Sequence, residues 1–320
     1  MIIAPARVTL RGMRILVALG GNALLRRGEP ADAEAQRHNV EAAAEGLAAI
    51  AAENELIVTH GNGPQVGLLA LQSESYHEVP PYPLDVLGAE SEGMVGHMLG
   101  LALRNALPDR DVVTVLTAVV VNPDDPAFRK PSKPIGPVYS PAQAEELARE
   151  RGWTVGRDGN SFRRLVPSPE PNAVAELRSL RVLIDSGALL ICAGGGGIPV
   201  TLDGAGKMRG VEAVIDKDLT AALLARRLDA DLLLMLTDVE AIHLDWRTDR
   251  SRPLREATPS QLRSLDFAAG SMGPKVEAAC RFVEATGRRA AVGALADAER
   301  IVRGEAGTQV GSRVGAPASA

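Results

Sequence analysis

The run Arg14-Ile15-Leu16-Val17-Ala18-Leu19-Gly20-Gly21-Asn22 decides the fold class. Five consecutive apolar residues without polar alternation describe a strand buried on both faces, and such strands belong to parallel sheets covered by helices. The glycines that stop the run place a turn at the strand's carboxyl end. Downstream, residues 33–54 repeat apolar side chains at Val40, Ala43, Leu47 and Ile50, a helical spacing, and residues 55–59 return to a short apolar strand. Together they make a βαβ unit and imply a parallel α/β sheet.

The same logic extends along the chain. Pro64 follows Gly61, Asn62 and Gly63 and opens a helix over 64–71, where its missing N–H costs nothing; residues 84–107 continue helically. Residues 112–121 read as one β-branched strand and 173–186 as a helix. Residues 189–193 read as a buried strand feeding Gly194 to Gly197, and 200–211 as a hairpin about Gly204 to Gly206. Alternation then resumes with a helix at 217–228, a strand at 232–236, a helix at 273–286 and strands at 289–292 and 308–310. The proline-rich stretch 122–171 is expected to protrude as a small subdomain of an amino-terminal lobe over 13–205, leaving 206–320 as a carboxyl-terminal lobe and 1–12 as an extension.

Composition narrows the chemistry. The 320 residues are 46% hydrophobic and 23% charged, which excludes disordered, collagen-like and coiled-coil classes. A net charge of -5 provides no long-range field for nucleic acid or an anionic membrane, so phosphate chemistry must use a local site. Cys192 and Cys280 form no CxxC or Cys/His cluster, which points away from disulfide and zinc scaffolds. The apolar run after Arg11 and Arg14 superficially resembles a signal peptide, but glycines interrupt it and Arg26 and Arg27 follow it, so a cytoplasmic location is expected.

Three strand ends carry glycine turns: Gly20-Gly21-Asn22, Gly61-Asn62-Gly63 and Gly194 to Gly197. Beyond the carboxyl ends of parallel strands, such turns let backbone N–H groups approach an oxyanion. GxxxxGK[ST] is absent, as are HExxH, GxSxG and the protein-kinase motifs. Gly61-x-Gly63-x-x-x-Gly67 with Asp85 leaves a nicotinamide-dependent oxidoreductase as an alternative. Of the 35 basic residues only five are lysines, and two of them stand in helix openings: Lys217 between Asp216 and Asp218, and Lys275 after Gly273-Pro274. A cation at a helix amino terminus is disfavoured unless an anion is near.

At these residues the sequence resembles the amino acid kinase superfamily and, within it, the carbamate kinases. The segments ALGGNALL (18–25), THGNGPQVG (59–67), KPIGPVYS (133–140), VPSPEP (166–171), AGGGGIPV (193–200), GVEAVIDKDLTAALLA (210–225), LTDVEAI (236–242) and GSMGPKV (270–276) occur in family order. The resemblance implies a three-layer αβα sandwich around an open, mostly parallel sheet. It also implies a homodimer and reversible, Mg²⁺-dependent phosphoryl transfer between ATP and carbamate, forming ATP from ADP and carbamoyl phosphate in catabolism of arginine or related compounds. Carried over by motif, Lys133, Lys217, Asp218 and Lys275 would be catalytic, with Asp218 orienting Lys217 and Lys275 and Lys133 reaching over the site from the subdomain. Gly20, Gly21, Asn22, Gly61, Asn62, Gly194, Gly195 and Gly196 would line the carbamate and phosphoryl end. Thr237, Asp238, Val239, His243, Met272 and Gly273 would border the nucleotide, His243 replacing a more usual aromatic. No protein ligand to the metal is expected, Mg²⁺ travelling with the nucleotide. Carbamate is already an anion and needs no general base, so His60 and His97 are expected to be structural. Another superfamily phosphotransferase, such as N-acetylglutamate kinase, and a non-catalytic nucleotide-binding relative are the alternatives within the fold.

Overall fold

The computed structural model describes residues 12–25, 29, 32–158, 161–246, 248–267 and 272–313. The first eleven residues of the expected extension lie outside them.

An eight-stranded sheet organises the chain. Its strands are β1 (Arg14–Leu19), β2 (Glu55–His60), β3 (Val112–Val115), β4 (Leu189–Cys192), β5 (Leu232–Thr237), β6 (Glu256–Ala257), β7 (Arg289–Ala294) and β8 (Thr308–Val310), in spatial order β6-β8-β7-β5-β1-β2-β4-β3. All neighbours run parallel except β7 and β8, which are antiparallel. β1 is central, and Ile15 to Leu19 are each fully buried, as a strand covered on both faces requires.

The two faces of β1 serve separate cores. Ile15, Val17 and Leu19 pack with Val40, Ala43 and Leu47 of α1 (Ala33–Ala51) and with Val95 and Leu99 of α3 (Leu84–Ala106). Leu16 and Ala18 pack with Leu180 and Ile184 of α4 (Leu177–Asp185), Leu224 of α5 (Lys217–Arg227) and Phe282 of α6 (Met272–Thr286). This is an αβα sandwich, in which strand period 2 meets helix period 3.6 on each side. Burying each large aliphatic of β1 contributes about 1.5–3 kcal/mol, so a charge at Val17 would be the most direct way to break the sheet.

Two sequence expectations need correction. Residues 112–121 do not form one strand: β3 ends at Val115, and Ala118–Val121 joins a separate four-stranded sheet with Pro171–Val174, Ile198–Leu202 and Met208–Gly210. Thr117 makes the break, because its hydroxyl turns back to Val115 O at 2.8 Å and competes with the ladder. The start of the expected 173–186 helix is instead an edge strand, Pro171–Val174, antiparallel to Ala118–Val121, and the helix begins at Leu177. Long-range pairing overrides local helical spacing there. A third, three-stranded antiparallel sheet (Lys133–Tyr139, Thr154–Asp158, Ser161–Val166) carries the helix Pro141–Arg151. It leans on α2 (Gly63–Ser75), where a Cβ at Gly67 would fall 2.8 Å from Gly136 Cα.

Register positions the site. Leu19 pairs with His60 of β2 and with Leu236 of β5, so these three strands end at one level and release their turns side by side.

Candidate active site

The turns after β1, β2, β4 and β5 meet the amino termini of α2, α5 and α6 around a cavity of about 350 Å³. Its wall contains Gly20, Gly21, Gly61, Asn62, Gly195, Thr237 and Asp238 from the strand ends. Lys217 and Asp218 enter from α5, Pro274 and Lys275 from α6, and Lys133 from the three-stranded sheet. The β1 and β2 turns come together because both are glycine: a Cβ at Gly61 would stand 2.9 Å from both Cα and N of Gly21.

Asp218 is the electrostatic centre. Its Oδ1 accepts a hydrogen bond from Lys217 Nζ at 2.7 Å and its Oδ2 one from Lys275 Nζ at 3.1 Å, with all three side chains largely buried. Burial alone would raise the Asp218 pKa, but the two ammonium charges and their hydrogen bonds outweigh it and hold it at about 2. Lys275 is displaced downward by burial and by the Lys217 charge, partly offset by Asp218. Each ammonium has three N–H donors and gives one to Asp218, which leaves donors for a ligand.

Asp216 holds the next layer. Its Oδ1 caps α5 by accepting Asp218 N–H at 2.9 Å and Leu219 N–H at 3.4 Å, while Oδ2 accepts from Lys133 Nζ at 2.7 Å. One carboxylate thus starts the helix that carries Lys217 and anchors the lysine arriving from the three-stranded sheet. The three ammonium groups, the glycine backbone and helix amino termini form a place for an oligoanion such as a polyphosphate.

The structure therefore brings Lys133, Lys217, Asp218, Lys275, Gly20, Gly21, Gly61, Asn62, Gly195, Thr237 and Asp238 to one cavity wall. It does not place Gly194, Gly196, Val239, His243, Met272 or Gly273 on that wall. Gly194 gives its N–H to Glu92, and Gly196 O accepts the Thr220 hydroxyl. Met272 packs on the core beneath α6. His243 contacts the Trp246 ring at 5.1 Å and Ser251 Oγ at 3.1 Å. Asn22 sits in the short turn Gly21–Ala23, and its side chain lies outside what is described. Asp85, the ribose-binding candidate of the oxidoreductase alternative, is in the first turn of α3 and is likewise absent from the wall.

In the sequence Asp216 stands only as a flank of Lys217 with no role of its own, although its place just before a helix, two residues ahead of another acid, is a capping signal. Ser91 and Glu92 of α3 also escaped notice; they are buried on the same helix side as Leu87, Val95 and Leu99, and a carboxylate at such a position is the legible anomaly.

Known proteins fit this geometry. The model of the amino acid kinase family matches residues 13–293. The chain belongs to the amino acid kinase family. This amino acid kinase is 55% identical over 304 residues to a carbamate kinase of Rhizobium meliloti, covering 94% of each chain, and 53% identical to one of Haemophilus influenzae, covering 93% of this chain and 96% of that one. Among solved structures, carbamate kinase from Giardia lamblia bound to AMP-PNP superposes with a TM-score of 0.87 at 38% identity, covering 94% of this chain and 99% of the other. These likenesses remove the oxidoreductase alternative. Among the described residues, no helix is long and apolar enough to cross a membrane.

Proposed function

We propose that this amino acid kinase is a carbamate kinase, transferring phosphoryl reversibly between ATP and carbamate. The observation that supports this most is the Lys217–Asp218–Lys275 bridge, with Lys133 held by Asp216, facing the glycine turns across one cavity. Phosphoryl transfer depends mainly on positioning and on neutralising charge at the equatorial oxygens, and this arrangement supplies both. In the ATP-forming direction an oxygen of the ADP β-phosphate bonds to the phosphorus of carbamoyl phosphate, the bond to the carbamate oxygen breaks, and carbamate leaves as an anion. Lys217 and Lys275 hold the nucleotide phosphates, Lys133 covers the transferred group, and the Gly20-Gly21 and Gly61-Asn62 backbone seats the carbamate end.

No proton needs to move. His60, at the end of β2, is fully buried, and burial lowers its pKa to about 4. The carboxylate oxygens of Asp216 and Asp218 accept from lysines and helix N–H groups. That donor set fits Mg²⁺ bound chiefly to nucleotide phosphates, where it would neutralise charge between them. A homodimer and a cytoplasmic location complete the reading by family resemblance.

The test is ATP formation by purified protein from ADP, Mg²⁺ and carbamoyl phosphate, with ATP and N-acetylglutamate run separately. ATP formation dependent on carbamoyl phosphate and abolished by Lys217→Ala supports the reading. Folded, nucleotide-binding protein that turns over only N-acetylglutamate, or neither substrate, overturns it.

A further inference from the structure

Behind the cavity wall, α3 turns two polar side chains into the core: Ser91 is 0% exposed and Glu92 1%. Both are committed to the turns that line the site. Ser91 Oγ accepts a hydrogen bond from Asn62 Nδ2 at 2.8 Å and donates its own proton to Gly88 O. Glu92 Oε1 accepts Gly194 N–H at 2.9 Å, and Oε2 accepts Thr117 N–H at 3.3 Å. The two turns also touch. Gly195, at φ +68°, lies so close to the Asn62 amide that a Cβ there would overlap it. Asn62 and Gly195 line the cavity, whereas Ser91 and Glu92 do not.

A buried carboxyl is a costly way to fill a core position, and Leu87, Val95 and Leu99 show that α3 can present aliphatics there. What an aliphatic cannot do is accept two N–H groups from loops far apart in the chain. Thr117 lies at the break between two sheets and Gly194 opens the turn after β4, so Glu92 ties the end of β4 to the end of β3 while Ser91, its neighbour, ties the end of β2. These attachments concern one end of the cavity. Thr237 and Asp238 follow β5, on the opposite side of β1 and β2 in the sheet order.

We propose that Ser91 and Glu92 are positioning residues that hold the Asn62 amide and the Gly194–Gly195 backbone against each other, and so set recognition of the carbamate or acyl-phosphate substrate without setting recognition of the nucleotide. The identity of that substrate rests on the carbamate kinase reading.

The experiment compares Glu92→Ala, Glu92→Gln and Ser91→Ala in the full-length enzyme, measuring KM for carbamoyl phosphate and for ADP separately. Glu92→Ala leaves two buried N–H groups unpaired, and KM for carbamoyl phosphate is expected to rise roughly tenfold or more while KM for ADP stays within about twofold. Glu92→Gln keeps the shape but only one of the two acceptor oxygens, its NH₂ facing the other N–H, and restores only part of the loss; Ser91→Ala shows the same one-sided split, and serves alone if Glu92→Ala does not fold. Amide hydrogen exchange is read in parallel: a peptide spanning 193–197 should exchange faster in the variants, and one spanning 236–242 should not. Equal changes in both KM values, lowered thermal stability with neither KM changed, or unaltered exchange at 193–197 would overturn the proposal. Absence of carbamoyl phosphate turnover in the unaltered enzyme would instead sink the substrate reading, and the exchange comparison would still decide the positioning roles.

Discussion

Replacing Asp218 by asparagine removes the one negative charge that Lys217 and Lys275 share. The carboxylate is 4% exposed and receives the two ammonium groups at 2.7 and 3.1 Å. Its descent from an ordinary 3.8 to about 2 corresponds to about 2 kcal/mol in favour of the ionised form. Taking one partner from a buried ion pair costs about 3–5 kcal/mol, and asparagine keeps an acceptor oxygen, so a loss of about 3 kcal/mol is expected. At about 2 °C per kcal/mol for a chain of this size, Tm should fall by roughly 6 °C. If Lys217 and Lys275 hold the nucleotide phosphates as proposed, these supply the missing counter-charge, and ADP should raise the Tm of Asp218→Asn by more than it raises that of the unaltered enzyme. Turnover should nevertheless fall about a hundredfold or more, because the ammonium groups are no longer held where charge develops. Calorimetry with and without ADP, alongside ATP formation from carbamoyl phosphate, measures all three quantities. An unchanged Tm, or a smaller ADP-induced rise in the variant, would refute the reasoning. The pH dependence has a definite sign: the folded pKa is depressed, so the stability Asp218 contributes is present above pH 3.8 and is lost as pH falls toward 2.

Three further outcomes can be checked independently. Lys133 is partly exposed beside Asp216, so Lys133→Ala should change stability by less than about 1 kcal/mol and lower kcat more than it weakens ADP binding by calorimetric titration; a defect in nucleotide affinity alone would contradict the place proposed for it over the transferred group. Glu92 is raised from 4.5 to about 8 by burial and the neighbouring Glu176 charge, against the Thr117 and Gly194 N–H groups. Its contribution to stability is therefore full below pH 4.5 and lost as pH rises toward 8, with a slope of at most about 1.4 kcal/mol per pH unit; denaturant titrations from pH 5 to 8 should show a flatter profile for Glu92→Gln, and identical slopes would refute the assignment. Gly61→Ala drives a Cβ against Gly21 backbone at 2.9 Å, which should cost about 1–3 kcal/mol and depress turnover; full activity would mean that the close approach of the two turns is unimportant.

Much of the fold could be read locally. The apolar run through Leu19 required cover on both faces, and the alternation of strand and helix led to a parallel sheet with glycine turns at strand ends. The scarcity of lysine and the Asp216-Lys217-Asp218 opening of a helix drew attention to phosphate-binding chemistry, and the family motifs supplied expected roles. Local reading failed where distant partners competed with local preference. Thr117 ended β3 through its hydroxyl on Val115 O and its N–H on the Glu92 carboxyl, and Pro171–Val174 became a strand because Ala118–Val121 offered it an edge.

By itself, then, the sequence determined the layered α/β class and the residue types from which an anion site is built, because strand burial, turns and caps depend on neighbours within a few positions. Tertiary structure decided which of those residues meet. Register aligned Leu19 with His60 and Leu236, bringing the turns level; the fold then carried Lys275 across 57 residues to Asp218 and Lys133 across 83 to Asp216. No periodicity records such pairings, since they arise from the order and register of strands in the sheet. The same is true of Glu92, whose purpose is invisible on α3 and emerges only where the ends of β3 and β4 fold onto it.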